Sequence, residues 1–349
     1  MNILAIETSC DETAAAVLHI TNGPFTLLSN MVSSQIKIHA RFGGVVPEVA
    51  ARKQIEMVIP VVAEAVKKSG LNLTRDINYI AATQGPGLVT ALNVGLETAK
   101  SLAFVTQKPL ITVNHLAGHA LAGLLSPSMS PKKIIFPALA LVVSGGHTLL
   151  ILMKNFYSWK IIGDTLDDAV GEAYDKTAQI LNLGYPGGPI IDKLAMAGDS
   201  SVFKLPRPLL NNQNFDFSFS GLKTAVLYLI NDVTAVSPLK TLGTKTINNI
   251  CAAFQAACVE VLVTKTLRAI KKYKPQTFLL GGGVSANQAL RTTLQEKIAL
   301  TAPKIKILLP EIKFTGDNAA MISVAAYFKI LKKQFANIKN LKANPHLSL

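Results

Sequence analysis

The chain has 349 residues, 49% hydrophobic and 16% charged, enough for two domains that each bury a core. No run of 18 apolar residues is uninterrupted, and the cysteine count of three is odd, which argues against a membrane span and against a secreted disulfide framework. The net charge of +14 is uneven, because residues 1–126 hold 9 Lys and Arg against 8 Asp and Glu while residues 127–349 hold 26 against 13; this fits a nucleic-acid partner, although a lysine-rich proteome explains it equally well.

The first part of the chain is predicted to alternate strands and helices. It begins directly with the strand-like "NILAIETS", without a basic or Arg-rich leader, so we expect a cytoplasmic protein. The predicted strands are residues 2–9, 13–20, 25–34, 77–87 and 109–113, and the predicted helices are 47–70, 89–106 and the segment "NHLAGHA" at 114–120.

A linker is predicted at "SPSMSPKK", residues 126–133, and beyond it the same order of elements begins again. The predicted strands there are 136–146, 148–154, 159–166, 277–283 and 304–310; the helices are 167–182, a long one ending near 273, 286–300 and one from Asn318, with an insertion at about 199–222.

This repetition predicts an α/β fold of two duplicated mixed-sheet lobes with a central cleft, a common place for a nucleotide. The first lobe is predicted at 1–126 and the second at 127–317, with a C-terminal helix of about 318–345 packing back on the first lobe.

His115 and His119 lie four residues apart, so a helix places both imidazoles on one face. Zinc proteases have a glutamate directly after the first histidine of such a pair, but Leu116 stands there. A metal-binding pair and a merely hydrogen-bonded pair both remain open. Asp317, in "FTGDNAAMI", is the best third ligand, although an acid before an apolar helix is also typical of an N-cap.

Glycine-rich turns and acids form the other candidate features. "TFLLGGGVSANQALR", "VVSGGHT" and "YPGGP" each suit either a tight turn or a phosphate-binding loop. Glu7, Asp11 and Glu12 lie between the first two strands, where turn chemistry and an acidic role beside a phosphate site are both reasonable.

Ten motifs in order together resemble the bacterial form of the TsaD family of tRNA threonylcarbamoyltransferases, over about residues 2–325. They are "IETSCDETA", "GGVVPE", "GPGL", "NHLAGHA", "VVSGGHT", "GEAYDKTA", "YPGGP", "FSFSGLKT", "GGGVSANQALR" and "GDNAAM". The resemblance implies the two-lobed fold of actin, sugar kinases and Hsp70-type chaperones. It also implies transfer of threonylcarbamoyl from threonylcarbamoyl-AMP to N6 of adenosine 37 in tRNAs that read codons beginning with A.

The resemblance further implies one bound metal ion, Fe²⁺ or Zn²⁺, held by His115, His119 and Asp317. Asp11 and Glu12 are our candidates for an acidic role near the reacting group. The residues expected to contact the substrate are Val143, Ser144, Gly145, Gly146, Asp175, Gly188, Asp192 and Asn287.

The expected partners are tRNA, an inactive paralogue of the TsaB type that pairs with the first lobe, and a small ATPase of the TsaE type, with no membrane or DNA partner. Two departures from the family pattern stand out, namely "FTG" where Cys-Thr usually precedes the metal Asp, and Gln54 where a His is common. A metalloprotease (the family's former label is glycoprotease) and a small-molecule kinase of the same fold are the alternative functions.

Overall fold

A computed structural model describes residues 1–21, 24–126, 129–236 and 242–349, with side chains omitted at 234–236. The chain divides into two compact units. The first unit comprises residues 1–135, 156–158 and 308–349, and the second comprises 136–155 and 159–307.

The first unit is built on a five-stranded sheet in the order β3-β2-β1-β4-β5. β1 is antiparallel to β2 and parallel to β4, β2 is antiparallel to β3, and β4 is parallel to β5. The strands are β1 (Asn2–Glu7), β2 (Glu12–Ile20), β3 (Phe25–Ser34), β4 (Tyr79–Gly85) and β5 (Leu110–Asn114). Because β1, β4 and β5 run in the same direction, the segments that follow them all leave from one edge of the sheet.

Five helices belong to this unit: α1 (Ile36–His39), α2 (Pro47–Ser69), α3 (Val89–Thr106), α4 (His115–Leu121) and α10 (Ala319–Leu331). α2 begins with Pro47 and stops at Gly70, whose φ of 72° suits a C-terminal cap. Apolar residues of α2 and α3 bury β1, β2 and β4 in one core, which includes Leu4, Val17 and Leu96. α10 packs on α4, β1, β2 and β5.

The second unit repeats this arrangement with the sheet order β10-β9-β6-β7-β8. β6 is antiparallel to β7 and parallel to β9, as β1 is to β2 and β4. The strands are β6 (Ala138–Val143), β7 (Thr148–Asn155), β8 (Ser158–Asp164), β9 (Thr277–Gly281) and β10 (Lys306–Leu308). The helices are α5 (Val170–Ile180), α6 (Gly187–Ala195), α7 (Ser220–Val236), α8 (Thr244–Tyr273) and α9 (Gln288–Thr301). The predicted α/β class with duplicated mixed sheets is confirmed.

α8 is, within the described ranges, the single helix long and apolar enough to cross a membrane. In its most apolar stretch 78% of the residues are buried inside the protein. Both of its cysteines, Cys251 and Cys258, are buried. It therefore serves as the core helix of the second unit.

Four sequence-based boundaries differ from the structure. The segment from Leu308 to Asp317 belongs to the first unit rather than the second, since Leu308 packs against Gly123. The single long helix expected before 273 is two helices, α7 and α8. The predicted linker lies partly outside the described residues, because 127 and 128 are not described, and its end is a 3₁₀ turn at Pro131–Lys133.

The predicted C-terminal helix was also wrong beyond Leu331, where α10 ends. The following residues instead run along the first sheet. The amide of Ala336 donates to the carbonyl of Leu110 (2.8 Å), and the amide of Asn344 donates to that of Gln84 (2.8 Å). Asparagine side chains in this segment bond to nearby amides, as Asn337 does with that of Lys339 (3.1 Å), and such local bonds compete with a helix.

Candidate functional site

The helix that carries the two histidines is capped where β5 ends. Asn114 Oδ1 accepts hydrogen bonds from the amides of Leu116 (2.9 Å) and Ala117 (3.4 Å), which satisfies two of the free donors of the first turn. His115 and His119 are both buried on the resulting short helix. Their rings meet edge to face, with centroids 4.5 Å apart.

Asp317 faces these histidines because its neighbour provides the helix cap. Asn318 is the N-cap of α10, and its Oδ1 accepts from the amide of Met321 (3.0 Å). The N-cap interpretation of Asp317 is therefore wrong, and its carboxylate is directed to other groups. Oδ1 of Asp317 lies 3.1 Å from Nε2 of His119 and 3.5 Å from Nε2 of His115.

These three residues offer one donor atom each, all within 4.8 Å of one another. Two imidazole nitrogens and a carboxylate oxygen suit a transition metal or zinc ion and leave coordination positions open. Both nitrogens that face Asp317 are Nε2 atoms, as required if they bind one ion together with that carboxylate. The residues present thus fit a metal ion.

A buried carboxylate supports the site from behind. Glu7, at the end of β1, lies 3.0 Å through Oε2 from Nδ1 of His115, and Oγ of Ser9 lies 3.2 Å from the same nitrogen. Glu7 itself accepts from Oγ1 of Thr83 (2.6 Å) and from the amide of Ser9 (2.5 Å). A carboxylate behind a ligating histidine fixes the ring and its tautomer, with the proton on Nδ1 and Nε2 free for the metal.

The pKa values of the two histidines move in opposite directions. Burial lowers the pKa of His115, but the charges of Glu7 and Asp317 outweigh it and raise the pKa to about 9. Burial and the charge of His115 lower the pKa of His119. Asp317 thus binds a pair in which one imidazole favours its charged form and the other its neutral form.

Asp11 and Glu12 lie in the turn from β1 to β2, at the sheet edge from which α4 also leaves. Burial, followed by the charge of Asp317, raises the pKa of Asp11. Burial, with smaller effects of Asp11 and Asp317, raises the pKa of Glu12 to about 8. Glu12 Oε1 accepts from Oγ of Ser34 (2.8 Å).

Gln54 holds this acidic turn in place. It lies on α2 with its side chain buried, and Nε2 donates to the carbonyls of Cys10 (2.8 Å) and Glu12 (3.2 Å). Sequence reasoning noted Gln54 only as a departure from a pattern. A buried glutamine that recurs on the apolar face of a helix was the available signal for such a role.

The expected substrate residues all lie in the second unit. β6 ends at Val143, and the turn that follows is closed by Ser144, whose amide donates to the carbonyl of His147 (2.8 Å). A Cβ on Gly145 or Gly146 would meet no atom within 4 Å, so both glycines face open space. A Cβ on Gly171, in α5, would instead collide with the Ser144 carbonyl.

The glycine turn after β9 packs against the same place. A Cβ on Gly282, whose φ is 89°, would overlap the carbonyl of Val143. Asn287 follows as the N-cap of α9, and its Nδ2 donates to Asp192 Oδ1 (2.9 Å) and to Gln255 Oε1 (2.7 Å). Gln255 was not predicted from the sequence, because it lies on a helix far from any glycine turn.

Asp175 organises the third glycine turn. Its Oδ1 accepts from the amide of Gly187 (2.7 Å) at the start of α6. A Cβ on Gly187 would lie 2.6 Å from Cβ of Ala178, whereas Gly188 has nothing within 4 Å. The three turns are therefore linked to one another or to neighbouring helices by close backbone packing, and Gly145, Gly146 and Gly188 remain open.

Comparisons with known proteins agree with this arrangement. Residues 26–324 match the model of the family TsaD, described as tRNA N6-adenosine threonylcarbamoyltransferase. Two curated proteins of that name are similar over nearly the whole chain. One, from Halalkalibacterium halodurans, is 49% identical over 348 residues, which are 99% of this chain and 96% of the relative. Another, from Trichlorobacter lovleyi, is 50% identical over 325 residues, 93% of this chain and 90% of the relative.

Among solved structures, full-length HypF in its phosphate- and nucleotide-bound form resembles this chain with a TM-score of 0.61 at 12% identity. The similarity covers 96% of this chain and 47% of HypF. HypF from T. kodakarensis gives a TM-score of 0.59, also at 12% identity, over 97% of this chain and 49% of that one. At this identity the likeness concerns the fold alone.

Proposed function

The chain belongs to the TsaD family of tRNA N6-adenosine threonylcarbamoyltransferases, and from this premise we propose that His115, His119 and Asp317 form its catalytic metal centre. The protein is an acyltransferase that forms threonylcarbamoyladenosine in tRNA. The convergence of two Nε2 atoms and one carboxylate oxygen within 4.8 Å supports the metal centre. We further propose that the donor is threonylcarbamoyl-AMP, that adenosine 37 is the acceptor in tRNAs that read codons beginning with A, and that the ion is Fe²⁺ or Zn²⁺.

The bound ion would act as a Lewis acid toward an oxygen of the acyl donor. The chain's own residues orient that centre: Glu7 fixes the His115 ring, and the Asn318 cap leaves the Asp317 carboxylate free to point at the histidines. A ligating carboxylate that had to cap a helix as well would be a weaker ligand.

Transfer joins N6 of the adenosine to the carbamoyl carbon and breaks the bond from that carbon to the phosphate oxygen. AMP leaves with the electron pair of the broken bond, and the proton from N6 must go to a base. The exocyclic amine is a weak nucleophile because its lone pair is delocalised into the ring, so positioning contributes much of the rate. We assign the proton to the carboxylate of Asp11 or of Glu12, whose raised pKa values favour accepting it.

The turns of the second unit would bind the adenylate. The open backbone at Gly145, Gly146 and Gly188 allows close approach of phosphate or ribose. Asp192 and Asn287 are held together by their hydrogen bond, and a carboxylate such as Asp192 suits ribose hydroxyl donors. Val143, Ser144 and Asp175 then act by setting the turns.

The partners beyond tRNA are also proposals. An inactive paralogue of the TsaB type would dock on the first unit, where Ile55 and Ile59, one turn apart on α2, are 65% and 58% exposed. A small ATPase of the TsaE type would assist turnover. We propose that the protein works in the cytoplasm.

The protease alternative lacks its base. In a zinc protease, a glutamate faces the metal-bound water. Here the nearest buried glutamate, Glu7, contacts Nδ1 of His115, the ring nitrogen that faces away from Asp317. No specific observation favours the kinase alternative.

A reconstituted reaction tests the proposal. It contains tRNA, threonine, bicarbonate, ATP and the candidate partners, and the tRNA nucleosides are analysed by mass spectrometry. His115→Ala and Asp317→Ala should abolish the modified nucleoside, whereas His346→Ala, which removes an exposed imidazole, should not. Full modification by the His115→Ala protein would overturn the metal centre, and no product from the wild type would count against the proposed donor.

A further inference from the structure

A concave pocket of about 660 Å³ opens in the second unit, where α8 and α9 end and β9 begins. Four cationic side chains line it: Arg268, Lys271, Lys274 and Lys304. No acidic residue of the described chain is among its lining residues. Its size is in the range of natural ligand sites.

These four cations lack the usual neutralising partners. None of them forms an ion pair with a carboxylate in the part of the chain that the structure describes. Arg268 donates instead to the carbonyl of Asn212 (3.0 Å), and the three lysines are exposed. Four like charges around one concavity repel each other and create a local positive potential, which an anion would relieve.

Helix capping explains only part of this cluster. Lysines at the C-terminal end of α8 are favoured by the helix dipole, which accounts for Lys271 and Lys274. Arg268 lies more than a turn before the end of α8, and Lys304 lies beyond the end of α9. The convergence of all four therefore needs another reason.

Apolar residues complete the lining between the charges. Ile270 and Pro275 are buried, and Leu267 and Ile305 are half-buried beside them. An apolar floor beneath a cationic rim can pack against a ribose or base while the rim binds phosphates, a combination typical of nucleic-acid sites.

The pocket is distinct from the turns that would bind the adenylate. It includes Gln276, just before β9, whereas the glycine turn at Gly282 follows the other end of this strand. Five residues of strand separate the two ends by roughly 16 Å. One nucleotide in the glycine turns cannot also fill this pocket, but a tRNA is large enough to reach both.

We infer that this pocket binds the phosphate backbone of the tRNA substrate, away from the adenosine that is modified. The inference rests on the tRNA-modifying function described above and adds a contact that raises affinity for the whole tRNA. Phosphate contacts of this kind position a nucleic acid without reading its sequence.

The test measures tRNA binding directly, by fluorescence anisotropy of labelled tRNA at several KCl concentrations. Lys271→Ala/Lys274→Ala/Lys304→Ala should weaken binding about tenfold or more and lower the salt slope by about one per lysine. A matched variant, Lys154→Ala/Lys160→Ala/Lys204→Ala, removes the same charge from exposed positions of the second unit and should change binding much less. Equal losses in the two triple variants, or no loss in the first, would overturn the inference.

Two further arms separate other causes. Lys271→Arg/Lys274→Arg/Lys304→Arg keeps the charges and should bind tRNA like the wild type; failure to do so would also contradict a backbone site. In the second arm, AMP is titrated against wild type and the alanine triple. If the alanine triple loses AMP binding but keeps tRNA binding, the pocket is a free-nucleotide site and the inference is wrong. Because binding is read without catalysis, failure of the proposed reaction does not affect this result.

Discussion

Nδ1 of His115 lies 3.0 Å from Oε2 of Glu7, a residue 108 positions earlier in the chain. The contact links the end of β1 to the start of α4, and it determines which nitrogen of His115 faces Asp317. The metal centre therefore depends on a residue that does not bind the metal.

Glu7→Gln should lower metal affinity by about 10- to 100-fold, the usual effect of losing a carboxylate behind a ligating histidine. The amide keeps the shape of the side chain but loses its charge. Affinity is measured by competition with a chromophoric chelator, with Glu56→Gln, an exposed residue, as the control. Equal affinity of wild type and Glu7→Gln would show that Glu7 does not support the site.

Glu12→Gln should change the pH dependence of stability. The folded-state pKa of about 8 exceeds the unfolded value of 4.5, so the folded protein holds the proton more tightly. The stability contribution of Glu12 is fully present below pH 4.5 and is lost as pH rises towards 8. The Tm of Glu12→Gln relative to wild type should therefore increase between pH 5 and 8, by a few degrees, about 2–4 °C per kcal/mol, and then level off.

The Tm measurements are made in chelator, so that metal occupancy does not change with pH. Glu56→Gln serves as the control, since that side chain is exposed. A constant Tm difference between Glu12→Gln and wild type over this pH range would contradict the prediction.

Gln54→Ala should destabilise the first unit and reduce kcat. The carbonyls of Cys10 and Glu12 lose their shared donor, which costs about 1–3 kcal/mol when such groups stay buried. The acidic turn is then less well fixed. Gln35→Ala is a suitable comparison, because Gln35 is also buried but donates to Ala50 outside the turn (3.2 Å). If both variants lose the same stability and the same kcat, Gln54 has no special effect on the turn.

Neighbouring glycines should respond differently to alanine. Gly187→Ala places a methyl group 2.6 Å from Cβ of Ala178 and should lower stability by about 1–3 kcal/mol. Gly188→Ala meets no protein atom, so its Tm should match wild type while KM for the acyl-adenylate rises. Unchanged KM in Gly188→Ala would show that Gly188 does not line the donor site.

Local patterns predicted much of the fold but less of the site. The strands at Asn2–Glu7 and Thr277–Gly281 and the spacing of His115 and His119 follow from side-chain periodicity and helix geometry. The contact between His119 and Asp317 spans 198 residues. No local rule predicts such a pair, so Asp317 entered the prediction through family resemblance.

Competition among polar side chains explains the remaining differences. In "GDNAAM" both Asp317 and Asn318 are good N-caps, and only the packed structure selects Asn318. After Leu331 the sequence still contains lysines and apolar residues typical of a helix. Asn337 and Asn344 each bind a nearby amide instead, which favours turns over continued helix.

The order of the two units along the chain also affects synthesis on the ribosome. The first unit is left incomplete at residue 135 and resumes at residue 308, so roughly 170 residues are made in between, which takes about 10–35 s at typical translation rates. During that interval β1, β2 and β5 lack α10, which packs on all three strands. His115 and His119 meanwhile lack Asp317. The second unit can complete its sheet first, and metal acquisition at the three-residue centre is confined to the final stage of translation or to the released protein.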